Sequence, residues 1–558
     1  MRFERLAAAG LALSLLTAAC SGGGGDDEPS ITLRAETPVT TVEPADPEPL
    51  PVDVLDDQAA TLDPGIAVGD RDIVIDLTGA GAPFDRRLLG SNLPAWLGPS
   101  RDSLDFYHPA IDVAGVEVLR FPGGSWSNDY DWLACLDGLD GCFWPWAMTV
   151  ADFARVMSDV DESTEFVWTI HYNGTPEEAA ALVAFFNGDV DDQTVIGVDA
   201  DGVDWGVEAQ WAQRRVDLGF ADPIGVRYWE IGNEIYGAAA SAGPQCASFG
   251  WENVATCDGT EYMLGIDDQA GLVEYAAAIR AVDPASQIGA VGVAPAGAWS
   301  DFGNEVLAAA DGHVDFYIVH WYGYDNSPDP ASIPGRAQEA WPASMAGLRE
   351  AMAGWGVPEL AVAVTEYNLV SFRDGDTDAV MRTAANAFFT AETIGAMALS
   401  GVEIANHWNL FDGEDGLGTS YGLVDADSGE ALPVLFGFRS WSLMGTTLRP
   451  VVGDAVTTYA TSGDDGSVQI MLLNPSDDAV SLSIGLEGGS GPWEATADVM
   501  TASDLAARSV SYNGAEVASV LDLTLDPIGV GRVDGDLEHT LDPRSITVLR
   551  LTPIDPAG

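Results

Sequence analysis

Two glutamates stand at the ends of apolar segments that are far apart in the chain. Glu234 ends VRYWEIGNE, and Glu366 lies in ELAVAVTEYN. Both segments are rich in β-branched and aromatic residues, so each is predicted to form a buried strand that ends in a carboxylate. Two facing carboxyl groups can cleave a glycosidic bond, since one protonates the leaving oxygen and the other attacks the anomeric carbon. A retaining mechanism requires about 5–5.5 Å between them, so the fold must bring the two segments together.

The elements that could do this are eight short apolar segments, which alternate along the chain with helical patterns. The segments are RRLLGSNLP, VEVLRFPGG, EFVWTIHYN, VRYWEIGNE, SQIGAVGVAP, VDFYIVHWYG, ELAVAVTEYN and VEIANHWNL. Between them, GLVEYAAAIRAV has helical periodicity, and Thr175 is placed to cap a second helix. The pattern predicts an α/β fold of the (β/α)8 TIM-barrel type. A doubly wound open sheet is the alternative, but no Gly-rich phosphate-binding fingerprint follows the first strand.

Polar residues collect at the ends of seven of these eight strands. They are Asn92; Arg120; His171 and Asn173; Asn233 and Glu234; His320 and Tyr322; Glu366 and Asn368; and His407, Trp408 and Asn409. In such barrels the carboxyl ends of the strands form one mouth, where active sites lie. We therefore expect Glu234 and Glu366, on the fourth and seventh strands, to face each other across it. Glu230 shares a strand face with Glu234 one layer deeper, so a buried structural role is predicted for it.

The rest of the chain divides into regions of distinct composition. Residues 1–20 combine Arg2 and Arg5 with an apolar run that is too short to span a membrane, which predicts a secretory signal. LTAAC resembles a lipoprotein signal, with Cys20 as the lipidated residue. Residues 21–71, rich in Gly, Pro, Thr and acid, are predicted to be a disordered tether. The catalytic barrel is assigned to 72–440 and an antiparallel β-sandwich to 441–558, with strand 72–77 in either domain.

The cysteines support export. The chain has five, and setting Cys20 aside leaves an even number in two close pairs. We predict the disulfides Cys135–Cys142 and Cys246–Cys257. Zinc is disfavoured because neither pair has CxxC spacing or a nearby histidine. The expected location is the cell surface or periplasm as a lipoprotein, and otherwise the extracellular medium.

The charge restricts the possible partners. Acidic residues number 87 against 23 basic ones, all of them arginine, which gives a net charge of −64. Such a surface repels nucleic acid and anionic membranes, so membrane contact is expected only through the N-terminal lipid anchor. The double-carboxylate chemistry needs no metal and no cofactor. The expected partner is an oligo- or polysaccharide, and the oligomeric state is left open.

The two glutamates also carry a family resemblance. WEIGNE followed by VTEYN resembles clan A of the glycoside hydrolases, and within it the chain most resembles the family 51 α-L-arabinofuranosidases. LRFPGG resembles the strand-two Arg-aromatic-Pro-Gly-Gly motif of that family, and the closing SITVLRL resembles the last strand of its β-domain. The likeness extends over about residues 72–556. It implies a retaining enzyme that removes arabinose from plant-type polysaccharides or oligosaccharides by double displacement.

Matching positions imply a role for each residue at the mouth. Glu234 would be the acid/base and Glu366 the nucleophile, kept ionised by Arg120. Asn233 would donate to the sugar 2-hydroxyl. The residues predicted to bind substrate are Asn92, Arg120, Ser125, Trp126, His171, Asn173, Asn233, His320, Tyr322 and Trp408.

The sequence departs from the family pattern at two places. Ser125 stands where the family usually has asparagine after Pro-Gly-Gly. The first strand reads LLGSNLPAW, with Asn92 and without the glutamate that binds the furanose. These positions contact the sugar in the family. The resemblance therefore implies the mechanism more directly than it implies the substrate, and families 39, 44 and 79 stay open.

Long aromatic loops follow the second and fourth strands, each closed by one predicted disulfide. The first contains Trp126, Tyr130, Trp132, Phe143, Trp144 and Trp146. Aromatic rings stack on sugar faces, which favours an oligosaccharide substrate. Three functions remain: an exo-acting α-L-arabinofuranosidase, an endo-acting β-glycanase of the same clan, and a non-catalytic carbohydrate-binding surface lipoprotein.

Overall fold

The computed structural model of the protein describes residues 66–99, 104–247, 249–489, 491–523 and 525–554. The signal segment, Cys20 and most of the predicted tether lie outside these residues. Within the described ranges, no helix has the length and apolarity needed to cross a membrane.

Eight parallel strands close into a barrel, as the sequence predicted. In chain order they are Gly90–Asn92, Val118–Phe121, Glu165–Ile170, Tyr228–Ile231, Gln287–Val291, Phe316–Tyr324, Ala361–Val370 and Ile404–His407. Each strand pairs with its sequence neighbours in the barrel, and the eighth pairs with the first. Six of the strands lie within the apolar segments that predicted them, and the sixth and seventh extend one and two residues beyond theirs. The barrel is therefore confirmed and the open sheet is excluded.

Helices follow most of the strands and cover the barrel. They are Tyr107–Ala114, Trp132–Asp137, Val150–Asp159, Pro176–Asn187, Glu208–Asp217, Gly259–Leu264, Leu272–Val282, Ala298–Ala308, Arg336–Trp355, Ala384–Leu399 and Pro433–Ser442. Thr175 caps its helix as predicted, because its hydroxyl accepts from the backbone N–H of Glu178. Leu272–Val282 buries the apolar face that its periodicity indicated.

The barrel interior is built in two layers. The lower layer is apolar and consists of Val118, Val167, Tyr228, Phe316, Ile318, Ala363 and Ile404. Since side chains two residues apart point to the same side of a strand, the next inward residues form a second, polar layer. These are Arg120, Thr169, Glu230 and Thr365, all buried. A dry apolar floor therefore lies under the polar groups of the mouth.

A β-sandwich follows the barrel in the chain. One sheet has the order Val451–Val452, Ile73–Asp76, Val480–Glu487 and Leu537–Leu541. The larger sheet contains Ala82–Pro83, Thr447–Arg449, Thr457–Ser462, Val468–Asn474, Ser545–Pro553, Trp493–Thr501, Ser511–Tyr512 and Ala515–Glu516, with Ile528–Val533 paired to Trp493–Thr501. All of these pairs are antiparallel except one: Ile73–Asp76 enters from ahead of the barrel and pairs parallel with Val480–Glu487.

Both predicted disulfides are present. Cys135–Cys142 closes the loop after the second barrel strand, and Cys246–Cys257 closes the loop after the fourth. Each bond therefore restrains a loop at the carboxyl end of the barrel.

Candidate active site

A buried arginine joins four of the barrel strands at the mouth. Arg120 has no exposed surface. Its Nε donates to Glu230 (2.6 Å), its Nη1 to Asn92 (2.8 Å) and Glu366 (2.9 Å), and its Nη2 to Asn233 (2.9 Å). The planar guanidinium thus fixes groups on the first, fourth and seventh strands in one arrangement.

Glu230 is the main counter-charge of this arginine. Burial would raise the pKa of Glu230, but Arg120 and then His320 lower it to about 2. Burial would also lower the pKa of Arg120, yet the charges of Glu230 and Glu366 raise it above its usual value. Thr169 and Thr365 add hydroxyl donors to Glu230 at 3.0 and 3.2 Å. Glu230 is therefore an ionised, fully bonded group beneath the mouth.

Glu234 and Glu366 meet above this layer. Each has a carboxylate oxygen within 4.8 Å of the other and of a His320 nitrogen. Nδ1 of His320 lies 2.9 Å from Glu234 and 3.5 Å from Glu366. The Glu234 side chain is 19 % exposed and that of Glu366 only 6 %. Two carboxylates at this separation match a retaining glycosidase site more closely than an inverting one, which needs room for a water between them.

Glu366 is held by donors on two sides. Besides Arg120, Tyr322 donates its hydroxyl to Oε2 at 2.8 Å. Burial raises the pKa of Glu366 and the charge of Glu234 adds to this, whereas His320 and Arg120 act in the opposite direction. The pKa of Glu366 stays above its ordinary value, and the two donors fix the carboxylate in place and stabilise the ionised form that attack requires.

Glu234 sits in a different environment, between three donors. Tyr236 donates its hydroxyl to Oε1 at 2.9 Å and Trp251 its indole N–H to Oε2 at 2.8 Å. Burial would raise the pKa of Glu234, but His320, followed by Tyr236 and Trp251, lowers it. Its backbone lies at φ 42°, a left-handed conformation that is uncommon outside glycine and clusters at functional sites.

His320 holds a proton beside both glutamates. Burial lowers its pKa, but the charge of Glu366 and the nearby carboxylates of Glu230 (3.9 Å) and Glu234 (2.9 Å) raise the pKa to about 10. Its Nε2 lies 3.1 Å from the hydroxyl of Thr365. A protonated His320 therefore places one proton in the hydrogen bond to Glu234.

The Pro-Gly-Gly turn after the second strand supports a tryptophan at the mouth. Gly123 and Gly124 have φ values of 83° and 62°, which favour glycine. A Cβ on Gly124 would lie 2.7 Å from the ring of Trp408. The turn therefore needs glycine both for its backbone and for the close approach of this ring.

Three other residues predicted to bind substrate form their hydrogen bonds away from Glu234 and Glu366 in the described structure. His171 bonds to Glu178 at 3.0 Å, and Asn173 donates to the Asp129 side chain at 2.8 Å and to a loop carbonyl. Asn92 is fully buried, and its amide donates to the carbonyl of Thr365 at 3.0 Å while its oxygen accepts from Arg120. These three connect strands and loops and make no hydrogen bond to Glu234 or Glu366.

Trp126 belongs to a ring cluster in its own loop. It stacks on Trp144 with 4.0 Å between ring centroids and contacts Trp96 and Trp146 edge-on. Trp146 remains 56 % exposed. The cluster is linked to the mouth through Trp96, which contacts Trp408.

Three residues of the site were not identified from the sequence: Tyr236, Trp251 and Glu252. Glu252 is 1 % exposed and accepts hydrogen bonds from Ser125 (2.7 Å), Asn128 (2.8 Å) and Asn233 (3.0 Å). Burial, and next the charge of Glu234, raises the pKa of Glu252 to about 8. All three follow the Asn-Glu pair in the loop after the fourth strand. The predicted disulfide Cys246–Cys257 was the one sequence feature indicating that this loop folds back.

Glu234, His320 and Glu366 form the one group of potential metal ligands among the described residues. Their ligand atoms are close enough to share a divalent ion. The guanidinium 2.9 Å from Glu366 and the proton held by His320 supply positive charge to the same carboxylates, which disfavours a further cation there.

No protein-family model matches the sequence, and no curated protein matches it. Among solved structures, the family 51 α-L-arabinofuranosidase of Thermotoga petrophila is similar at 20 % identity and a TM-score of 0.64. The family 51 α-L-arabinofuranosidase of Bifidobacterium longum is similar at 17 % and 0.62, and a family 44 xyloglucanase of Paenibacillus polymyxa at 14 % and 0.55. In each case the match covers 86 % of this chain and 99 % of the other. The fold is therefore the one that the clan A resemblance implied.

Loss of the Arg120 guanidinium should destabilise the protein strongly. In Arg120→Met, Glu230 stays buried without its counter-charge, and we expect the free energy of unfolding to fall by about 3–5 kcal/mol. Adding Glu230→Gln should restore part of the loss. The matched control is Arg86→Met, which breaks a half-exposed pair with Glu117 and should cost less than about 1 kcal/mol in urea unfolding. Equal small losses in both arginine variants would contradict the central role of Arg120.

Proposed function

We propose that this protein is a retaining glycoside hydrolase with Glu234 as acid/base and Glu366 as nucleophile. The observation that carries the proposal is the close pair of carboxylates at the carboxyl ends of the fourth and seventh strands. The more exposed member lies where a leaving group can reach it, and the more buried one is bonded to Arg120 and Tyr322. This asymmetry matches the two roles in double displacement.

In the first step, Glu366 attacks the anomeric carbon while Glu234 gives its proton to the glycosidic oxygen. The carbon–oxygen bond breaks, the leaving group departs as an alcohol, and a glycosyl ester forms on Glu366. Arg120 and Tyr322 hold the attacking carboxylate in one orientation. Asn233, whose side-chain oxygen accepts from Arg120, donates to the sugar 2-hydroxyl in this proposal, and that bond strengthens in the transition state.

In the second step, Glu234 is the base. It takes a proton from a water molecule whose oxygen attacks the anomeric carbon, and Glu366 leaves as a carboxylate. Two inversions give a product that retains the configuration of the substrate. Tyr236 and Trp251 keep the Glu234 carboxylate in position through both steps.

His320 supplies the proton that Glu234 needs as an acid. This proton is held by His320, whose pKa is raised to about 10 and whose Nδ1 lies 2.9 Å from Glu234. Transfer along this hydrogen bond leaves a neutral imidazole and a protonated carboxyl. His320 and Glu234 therefore titrate as a pair, and the pair retains one shared proton at pH values well above neutral.

The substrate proposed is an arabinose-containing oligo- or polysaccharide, which would make the protein an α-L-arabinofuranosidase. The family 51 structures named above are those of α-L-arabinofuranosidases, and the Arg-aromatic-Pro-Gly-Gly and Glu-aromatic-Asn motifs support the same activity for this chain. Export to an oxidising compartment is proposed with it, since two disulfides close the loops of the mouth.

An endo-acting glycanase is the alternative, and exposed rings beside Glu234 favour it. Trp251, which bonds to Glu234, contacts Trp299 and Phe372 at centroid distances of 5.2 and 6.4 Å. These two rings are 39 % and 55 % exposed. Because Glu234 protonates the leaving group, they lie where further sugars of a polymer could stack. Hydrolysis of aryl α-L-arabinofuranosides with little chain cleavage supports the exo enzyme, and mid-chain cleavage of polysaccharide supports the glycanase.

Removal of the proposed nucleophile should abolish hydrolysis in a way that azide can repair. In Glu366→Ala we expect kcat to fall at least ~1,000-fold on an aryl glycoside. Azide should restore part of the turnover by attacking from the vacated side, giving a glycosyl azide of inverted configuration. Glu234→Ala should instead give an azide of retained configuration. Glu339→Ala, on an exposed helix position, is the matched control. Near-normal turnover in Glu366→Ala would refute the assignment.

Replacement of His320 should narrow the pH range of activity from the alkaline side. The pKa of His320 is raised, so the shared proton is present at neutral pH and is lost as the pH rises toward about 10. In His320→Gln only the Glu234 carboxyl can hold this proton. We therefore expect the alkaline limb of the kcat/KM profile to shift to lower pH by about one unit or more. His313→Gln, before the amino end of the sixth strand, should leave the limb in place. An unchanged limb in His320→Gln would exclude the shared proton.

A further inference from the structure

The loop after the fourth barrel strand folds back onto the residues that it follows. Gly237 accepts the backbone N–H groups of Trp251 and Glu252 at 3.1 and 3.0 Å, and Ala239 donates to the Glu252 carbonyl at 2.8 Å. A Cβ on Gly237 would lie 2.3 Å from the Trp251 ring, so this approach requires glycine. The disulfide Cys246–Cys257 encloses the returning segment.

Two adjacent residues of this segment bond to the two adjacent residues of the Asn-Glu pair. Trp251 donates to the Glu234 carboxylate at 2.8 Å, and the Asn233 amide donates to the Glu252 carboxylate at 3.0 Å. The returning loop therefore holds both members of the pair by separate side-chain bonds.

The Asn233 side chain is left with a single orientation. Its Oδ1 accepts from Arg120 at 2.9 Å, while its Nδ2 donates to Glu252. Turning the amide over would set its N–H groups against the guanidinium and its oxygen against the carboxylate. Its backbone is fixed as well, because the Asn128 amide bonds to both its N–H (2.9 Å) and its C=O (2.8 Å). The second N–H of Nδ2 has no hydrogen-bond partner among the described residues.

We propose that Glu252 is a positioning residue, which orients the Asn233 amide so that its remaining N–H meets the sugar 2-hydroxyl. The inference rests on the proposed glycosidase function. The first strand lacks the sugar-binding acid expected from the family resemblance, and Glu252 brings a carboxylate to Ser125 and Asn233 from the loop after the fourth strand. Because three protein donors already occupy the Glu252 carboxylate, it acts through Asn233.

A carboxyl group is the side chain that fits this position. Three donors converge on it: the Ser125 hydroxyl and the amides of Asn128 and Asn233. A glutamine would place an N–H against one of them wherever its oxygen points. When Glu252 is protonated, the exposed Ser125 hydroxyl can turn to accept the proton, and Oε1 still accepts from Asn233.

The test compares Glu252→Gln with the unaltered protein on two aryl glycosides, one with the 2-hydroxyl and one without it. On the hydroxylated substrate we expect kcat to fall about 10- to 100-fold with KM changed less than about threefold, since the bond strengthens in the transition state. On the 2-deoxy substrate the variant and the unaltered protein should agree within about threefold. Glu339→Gln, at an exposed position, is the matched control.

A second substitution separates positioning from a structural effect. In an Asn233→Ala background, Glu252→Gln should cause no further loss on either substrate. Glu252→Asp keeps a carboxylate but is too short to reach Asn233, so it should repeat the selective loss if the glutamine variant folds poorly. Equal losses on both substrates, or additive losses with Asn233→Ala, would overturn the proposal. Failure of the unaltered protein to hydrolyse any glycoside would instead reject the glycosidase function, and the inference with it.

Discussion

The arrangement of the mouth depends on one buried guanidinium. Arg120 bonds to Asn92, Glu230, Asn233 and Glu366, so its position determines where the proposed nucleophile and the amide of the Asn-Glu pair can lie. A planar group with fixed donor directions serves this purpose where a flexible ammonium would not. Glu230 balances its charge from below, and the apolar floor of the barrel excludes water from the pair. The same low-dielectric surroundings make each bond to Arg120 strong and its loss costly.

The second constraint is the excess of acid at the mouth. Four carboxyl groups, Glu230, Glu234, Glu252 and Glu366, share a small volume with two basic groups, Arg120 and His320. Arg120 keeps Glu230 ionised, and His320 holds a proton between the two proposed catalytic carboxylates. Burial raises the pKa of Glu252 to about 8, so Glu252 can be protonated while Glu234 is ionised. The mouth can therefore keep one carboxylate ionised for attack and a proton within reach of the other.

The barrel and its two glutamates could be predicted because local sequence determines both. Buried parallel strands are continuous apolar runs, and Glu234 and Glu366 end two of them. Glu252, Tyr236 and Trp251 could not be predicted, since they lie in a loop whose path depends on a disulfide and on the room that Gly237 leaves. His171 and Asn173 follow a strand like the others, but long-range partners, Glu178 and Asp129, draw them away from the pair. Ser125, which departs from the family pattern, is one of the three donors that bond to Glu252.

The central claim is that Glu234 and Glu366, whose carboxylate oxygens lie within 4.8 Å of each other, perform a double displacement. The stereochemical course of hydrolysis tests this most directly. Proton NMR of the anomeric signals, recorded in the first minutes of turnover on an aryl glycoside, identifies the product before it mutarotates. We expect the first product to have the same anomeric configuration as the substrate. Initial appearance of the opposite anomer would show single displacement and would contradict the roles assigned to both glutamates.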